Sequence, residues 1–475
     1  MKRTKHKMLI GGKWVAREKT INVYDPQDNT RLTTIPQASK QDVLLAIEAA
    51  EEGAKIAAKM PVHERVSILN KTADYIEKEH DRFAKTIAYE GSKTIVEARS
   101  EVTRCVNTIR LSAEEASRIN GETIPFDQMP GHEQRVGYFY RFPIGIIAAI
   151  TPFNDPLNLV AHKIGPAIAT GNAIIVKPAT LTPLSALLLA EAFDKNGLPE
   201  KVLSVITGSG REIGDELITH PAIRMISFTG GLETGTHISK RAGLKKISME
   251  LGSNSPTIVL EDADLDHTIA STVAGAFGAV GQNCLGVQRV FIQESIFDQF
   301  IERFVQETNK IKTGNKLDEA TDMGPLINET EAIRIETWVD EAVNSGAKIL
   351  TGGLREGAFY TPTVLVDVPY DAKIAQEEIF GPVVLMFPIA HLDEAITKAN
   401  RVNYGLQAGI FTKNIEAAFA AIHRLDVGGI MVNDSSDYRI DAMPFGGVKG
   451  SGLGREGVKF SMLKMTDPKV VNFNL

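Results

Sequence analysis

The sequence predicts an α/β chain built from two parallel-sheet units and a small β element, and three observations predict it. Short apolar runs alternate with amphipathic helical stretches from 142 to about 250. A second alternating region runs from about 255 to 435. Two extended, β-prone pieces belong to neither: about 121–141, and the tail Lys469-Val470-Val471-Asn472-Phe473. A chain of 475 residues exceeds one ordinary domain, so more than one folded unit is expected.

The elements follow in order. Residues 62–90 read as one long amphipathic helix with Val66, Leu69, Ala73, Ile76, Phe83 and Ile87 on its stripe, and about 94–118 as a second helix. Cys105 falls on the stripe of the second helix and reads as a small core residue. In the first alternating unit the strands are Ile144–Ile150, Ala173–Val176, Val202–Ile206, Met225–Phe228 and Lys246–Leu251, with helices near 157–169, 183–195, 210–219 and 233–242. In the second they include Thr257–Leu260, Arg289–Gln293, Thr363–Val366, Val383–Phe387, Gln407–Phe411 and Gly429–Asn433. Such alternation implies parallel sheets covered on both faces, with ligands at the carboxyl ends of the strands.

A net charge of −7 argues against general nucleic-acid affinity, which needs clustered positive charge. No run of about 18 apolar residues is present, so no membrane span is expected. The basic start Met1–Lys7 reads as a solvated terminus, because no apolar core follows it. Two cysteines, Cys105 and Cys284, cannot build a disulfide framework and lack zinc-site spacing. A cytoplasmic protein without a structural metal is expected.

Two residues carry chemistry. Cys284 sits in Gly281-Gln282-Asn283-Cys284-Leu285-Gly286, and Glu250 in Met249-Glu250-Leu251-Gly252. A thiol and a carboxylate, each in a glycine-flanked segment after an apolar stretch, suit covalent chemistry on a carbonyl. The thiolate attacks, and the carboxylate takes a proton from the thiol or from the water that releases the product.

An ordered set of motifs then resembles the NAD(P)-dependent aldehyde dehydrogenase superfamily over nearly the whole chain. They are Thr151-Pro152-Phe153-Asn154, Val176-Lys177-Pro178, Phe228-Thr229-Gly230, Glu250-Leu251-Gly252, Gly281-Gln282-Asn283-Cys284, Glu378-Ile379-Phe380-Gly381-Pro382 and Pro444-Phe445-Gly446-Gly447. The resemblance implies the aldehyde dehydrogenase fold: a five-stranded Rossmann-like cofactor domain from 1–120 and 142–250, a catalytic domain at 251–448, and an oligomerisation element from 121–141 and 449–475. It implies a homodimer or homotetramer in which the tail strand extends a neighbour's sheet.

By the same resemblance Cys284 is the nucleophile, Glu250 the base for the deacylating water, and Asn154 the oxyanion-holding side chain with the Cys284 N–H. Thr151, Pro152, Phe153, Lys177, Thr180, Gly210, Thr229, Gly230, Gly235, Leu251, Glu378 and Phe380 are implied contacts to NAD or NADP. Gly230 and Gly235 are spaced Gly-x4-Gly, not as the dinucleotide fingerprint, and Gly231 stands where serine is common. Thr180 replaces the glutamate of many NAD-preferring relatives, so NADP should be tolerated. Ser253-Asn254 replaces the more usual Gly-Lys.

Arg104, Asp155, His162, Arg289 and Arg439 are candidate substrate contacts. They suit a short aldehyde with an anionic tail, or else the arginines form salt bridges with Asp155, Asp437 or Asp441. The strings around His162 and Arg439 resemble the branch acting on lactaldehyde, glyceraldehyde 3-phosphate, phosphonoacetaldehyde and sulfolactaldehyde. Competing readings are a CoA-acylating semialdehyde dehydrogenase, whose members lack the Glu250 base, a cysteine hydrolase, and a non-catalytic descendant of the fold.

Overall fold

The structure, a computed structural model, describes residues 6–475. Most of the basic start falls on residues 1–5 and lies outside the described residues.

The first sheet has a parallel core of five strands: Ile146–Ile150, Ala173–Lys177, Leu203–Val205, Ile223–Thr229 and Lys246–Glu250. Their spatial order places Ile146–Ile150 between Ala173–Lys177 on one side and Ile223–Thr229 on the other. The chain therefore reverses its direction of travel across the sheet beside Ile150. A crevice opens at such a switch point, just beyond the carboxyl ends of the strands. The near-continuous apolar runs Ile146–Ala149 and Ala173–Val176 are buried on both faces, as helices on each side require.

The second sheet runs Lys348–Thr351, Thr363–Val366, Val383–Ile389, Val287–Gln293, Ser255–Val259, Gln407–Phe411 and Gly429–Val432, parallel except for the first strand. Only residues 251–254 separate Glu250 from the strand beginning at Ser255. The carboxyl end of one sheet thus abuts the amino end of the other, and the site forms at that junction. No helix among the described residues is long and apolar enough to cross a membrane.

Two expectations change. The helix read over 62–90 is two, Val62–Lys78 and His80–Glu90, broken at Glu79 (φ −97°, ψ 18°). The bend lets Leu69, Ala73 and Ile76 on one segment and Phe83 and Ile87 on the next reach one core. The N-terminal region, given no elements from sequence, adds the strands Met8–Ile10 and Lys13–Val15 to the first sheet. It also contributes the hairpin Thr20–Tyr24/Arg31–Pro36 and the helix Lys40–Lys59. The tail strand, Thr466–Asn474, pairs antiparallel with Arg135–Pro143 of its own chain, leaving its other edge open. Upstream of it, Gly452–Leu453 pairs with Met249–Glu250. Cys105 is fully buried in the core.

Candidate active site

A cavity of about 830 Å³ opens at the switch point. Thr151, Pro152, Phe153 and Asn154 line it from the loop after Ile150, and Thr229–Thr234 from the turn after the neighbouring strand. Glu250, Leu251, Glu378 and Phe380 line it as well. A second cavity of about 280 Å³ lies on the other side of Cys284, with Arg104, Asp155, Asn283 and Asp437 in its wall. Cys284, Asn154, Leu159 and Arg439 line both cavities. The thiol therefore stands at the neck joining them.

The loop carrying Cys284 is held in a strained path. Ala279 (φ 50°, ψ 35°) and Val280 (φ 60°, ψ 26°) are successive left-handed residues without glycine's freedom, a conformation that survives only where surroundings dictate it. Those surroundings are explicit. The Ala279 N–H donates to Glu97 Oε1 (2.7 Å). Gln282 donates to Ser92 Oγ (2.9 Å) and accepts from the Ile327 N–H (3.0 Å). Gly281, at φ 66°, packs so tightly that a Cβ would come within 2.2 Å of the Gly381 carbonyl oxygen. This contact fixes the nucleophile loop against the loop of Glu378 and Phe380. Phe380 is itself left-handed (φ 51°) and meets Phe153 edge-on at 5.7 Å.

Electrostatics set the reactivity. Cys284 keeps surface open to the cavities, but burial within the surrounding shell pushes its thiol up to about 12. Arg439 pulls it down, and Glu378, Glu250 and Asp437 oppose that pull. The Cys284 N–H has no acceptor among the described residues. Both Glu250 oxygens are buried without a hydrogen-bond partner among them. Removal from water pushes this carboxyl up to about 8, against the attraction of Lys163, Arg439, Lys464 and Arg455. A Cβ at Gly446 would lie 2.9 Å from Glu250 Oε1, so the Pro-Phe-Gly-Gly segment makes room for the carboxylate.

Sequence reasoning missed the groups beneath Glu250. Lys163 is fully buried, donates to Thr229 Oγ1 (2.9 Å) and pairs with Glu456, which lines the larger cavity. Burial lowers Lys163 to about 7 although Glu250 raises it. Ser253 and Asn254, unexplained in the sequence, position the Glu378 loop. The Ser253 N–H donates to Glu378 Oε1 (2.7 Å), and Asn254 Nδ2 donates to the carbonyls of Ala375 (3.0 Å) and Glu377 (3.1 Å).

Of the implied cofactor contacts, Thr151, Pro152, Phe153, Thr229, Gly230, Leu251, Glu378 and Phe380 share the larger cavity. Lys177, Thr180, Gly210 and Gly235 do not line it. The first three form an adjoining cluster: Thr180 Oγ1 donates to the Gly208 carbonyl (3.1 Å), and a Cβ at Gly210 would be 3.7 Å from Lys177 Cε. Gly235 is a packing residue whose missing Cβ leaves room for Leu251.

These residues fit a dinucleotide. Lys177 is a buried cation whose ammonium donates, among the described residues, only to the Pro178 carbonyl (2.9 Å), and burial lowers it to about 8. The helix Leu232–Arg241 starts at Gly231 with no side-chain cap, and Gly231–Thr234 line the cavity, so this uncapped helix start suits an anion.

The candidate substrate residues separate. Arg289 lines neither cavity. It is fully buried in its strand and donates to Tyr370 Oη (2.8 Å) and the carbonyls of Asn254 (2.9 Å), Ala399 (3.2 Å) and Lys398 (3.3 Å). The expectation that it faces substrate is corrected: it ties the second sheet to its flanking loops. His162 also lines neither cavity. Burial lowers it to about 4, so it is neutral near pH 7, with Nε2 2.8 Å from Asp441. Arg104 borders the smaller cavity but bridges Asp155 (3.4 Å) and Asp441 (3.0 Å), and Asp155 also pairs with Lys93. Arg439 differs. It stacks on Phe445 (3.8 Å), forms no ion pair among the described residues, and has buried Nε and Nη2 without partners.

Comparison with known proteins decides the family. The sequence profile of the aldehyde dehydrogenase family matches residues 14–471. The chain belongs to the aldehyde dehydrogenase family. Aspartate-semialdehyde dehydrogenase 1 of Pseudomonas canavaninivorans is 48% identical over 96% of this chain and 97% of that protein. The 3-sulfolactaldehyde dehydrogenase of Priestia megaterium is 43% identical over 98% of each. The crystal structure of the NADP-dependent glyceraldehyde-3-phosphate dehydrogenase from Bacillus halodurans C-125, complexed with NADP, superposes with a TM-score of 0.98 at 39% identity, covering 100% of both chains. This aldehyde dehydrogenase is an NAD(P)-dependent oxidoreductase, and its fold is that of the family.

Proposed function

We propose that this aldehyde dehydrogenase oxidises a short anionic aldehyde to its carboxylic acid through a thioester on Cys284. The observation that carries the reading is the place of Cys284 at the neck between two cavities, with the unpaired Arg439 beside it. The thiol gives its proton to water in the open cavity, and the sulfur attacks the carbonyl carbon, forming a C–S bond while the C=O electron pair moves to the carbonyl oxygen. The Asn154 amide and the Cys284 N–H hold that oxygen; in related acyl chemistry one such donor contributes about 2.7–4 kcal/mol. Thr229–Thr234, Glu378 and Phe380 line the larger cavity and would hold NAD(P)+ there, which would supply the hydride acceptor needed for the adduct to become a thioester. Glu250 then takes a proton from water, which attacks the thioester and breaks the C–S bond. An acceptor carboxylate with no competing partner suits that step and favours hydrolysis over transfer to CoA.

In this reading residues 1–120 and 142–250 hold the dinucleotide and 251–448 carry the chemistry. Residues 121–141 and 449–475 assemble a homodimer or homotetramer in the cytoplasm. The anionic preference rests on Arg439, and the three relatives named above act on carboxylate-, sulfonate- and phosphate-bearing aldehydes by name. Arg439→Ala is expected to raise KM for succinic semialdehyde about tenfold more than for propanal, because it removes a charge-assisted hydrogen bond. Equal effects on the two aldehydes would remove the anion pocket. Thr180→Glu is expected to raise KM for NADP about tenfold relative to NAD, since its carboxylate would face the 2′-phosphate. A panel of short aldehydes assayed with each dinucleotide tests the reading, and aldehyde-independent rates throughout would sink it.

A further inference from the structure

The chain reaches its nucleophile along a backbone path that it does not favour by itself. The helix Leu265–Phe277 ends at Gly278, and Ala279 (φ 50°, ψ 35°) and Val280 (φ 60°, ψ 26°) follow in the left-handed region. A residue other than glycine is uncommon there, and a β-branched one is an outlier. Gly281 and Gln282 are held downstream of this pair, whereas Glu97 grips the pair itself. Its Oε1 accepts the Ala279 N–H (2.7 Å) across 182 residues of chain. Glu97 borders the smaller cavity, yet both of its oxygens are engaged. Oε2 accepts the Thr94 N–H (2.8 Å) and the Thr94 hydroxyl (3.1 Å) at the start of the helix Ile95–Ala116. A carboxylate committed in this way clamps the loop to a helix end and leaves no oxygen free for a substrate.

We infer that Glu97 is a positioning residue for the oxidation: its hydrogen bond to Ala279 keeps the strained loop wound, and the wound loop keeps the Cys284 sulfur at the neck between the two cavities. The inference rests on the reading of Cys284 as the nucleophile. A hydrogen bond to a charged acceptor is roughly twice as strong as a neutral one, which suits it to hold a strained backbone. Without that bond, Ala279 and Val280 relax toward the right-handed region and swing the chain that follows them. The sulfur then leaves its place beside the carbonyl carbon. Attack depends steeply on alignment, and a misplacement of about 1 Å can cost roughly 10²-fold in rate. The residues that line the larger cavity at Thr229–Thr234 lie outside this loop, so dinucleotide binding is left intact.

The rate constant of the first turnover tests this, read as NADPH formed on rapid mixing with saturating propanal and NADP+. Glu97→Ala is expected to lower it about 10- to 100-fold, with the Kd for NADP+ within about twofold of the native value. Glu97→Gln keeps one acceptor oxygen and is expected to fall between the two. Thr94→Ala removes the hydroxyl that caps the helix but leaves Glu97 both N–H groups, and it is expected to keep the native rate. Adding Ala279→Gly to Glu97→Ala is expected to restore a large part of the loss, because glycine takes the left-handed path without a steric penalty. NADP+ binding reports that each variant is folded, and Glu97→Gln carries the test if Glu97→Ala does not bind. A first turnover in Glu97→Ala within about twofold of native would overturn the inference. So would an equal fall in Thr94→Ala, which would trace the effect to the helix cap, or an Ala279→Gly change that restores nothing. Cys284→Ala in the same assay keeps the two readings apart. A first turnover that survives there ends the nucleophile reading, whereas one lost there but intact in Glu97→Ala ends only the role of Glu97.

Discussion

Replacing Cys284 with alanine is expected to lower aldehyde-dependent formation of NAD(P)H by about 10³-fold or more, with dinucleotide binding retained. Among the described residues the sulfur is the only thiol at the neck, and no other thiol can substitute. Cys105 is fully buried, and burial holds it well above the ordinary thiol range. Equilibrium titration with NADP separates this outcome from a folding defect. A variant that binds dinucleotide and still oxidises aldehyde at a comparable rate would end the thioester account. The raised Cys284 pKa adds a second expectation within the same experiment: in the free enzyme the thiol should react slowly with iodoacetamide, because little thiolate exists near pH 7.

Glu250→Gln carries the other large effect. Loss of the base should leave acylation intact and slow release of the product, giving a burst approaching one NAD(P)H per site and then turnover lowered by about 10²-fold or more. The sign of the pH dependence follows from the raised carboxyl. A general base works deprotonated, and burial holds Glu250 protonated below about 8 in the free chain, so hydrolysis should rise as pH rises through that value. The glutamine variant should lose this limb. Rapid-quench measurement across pH 6–10 reads both effects; absence of both the burst and the slowing would count against the assigned role.

How far the sequence disclosed this arrangement depends on the range of the interaction. Strand positions such as Ala173–Lys177 and Thr363–Val366 were legible because burial on both faces writes an apolar run into the chain. The nucleophile and base were legible from motif context. The path of their loop was not: Ala279 and Val280 are left-handed without a glycine to announce it, and partners far away in sequence enforce it. Pairing of charges was equally hidden. Arg104 meets Asp441 across 337 residues, and Lys163 meets Glu456 across 293. Arg289 read as a pocket cation because an arginine after the nucleophile looks the same whether its strand turns it toward substrate or toward the carbonyls of Lys398 and Ala399. The pieces at 121–141 and the tail were readable as extended, but sequence did not tell that each is the other's partner.

The most direct test of the central claim is the mass of the Cys284 peptide. Glu250→Gln enzyme, mixed with NADP+ and a short aldehyde and quenched in acid within one turnover, should carry the acyl group on Cys284 and none on Cys105. An unmodified Cys284 in enzyme that has already produced a burst of NADPH would contradict the account.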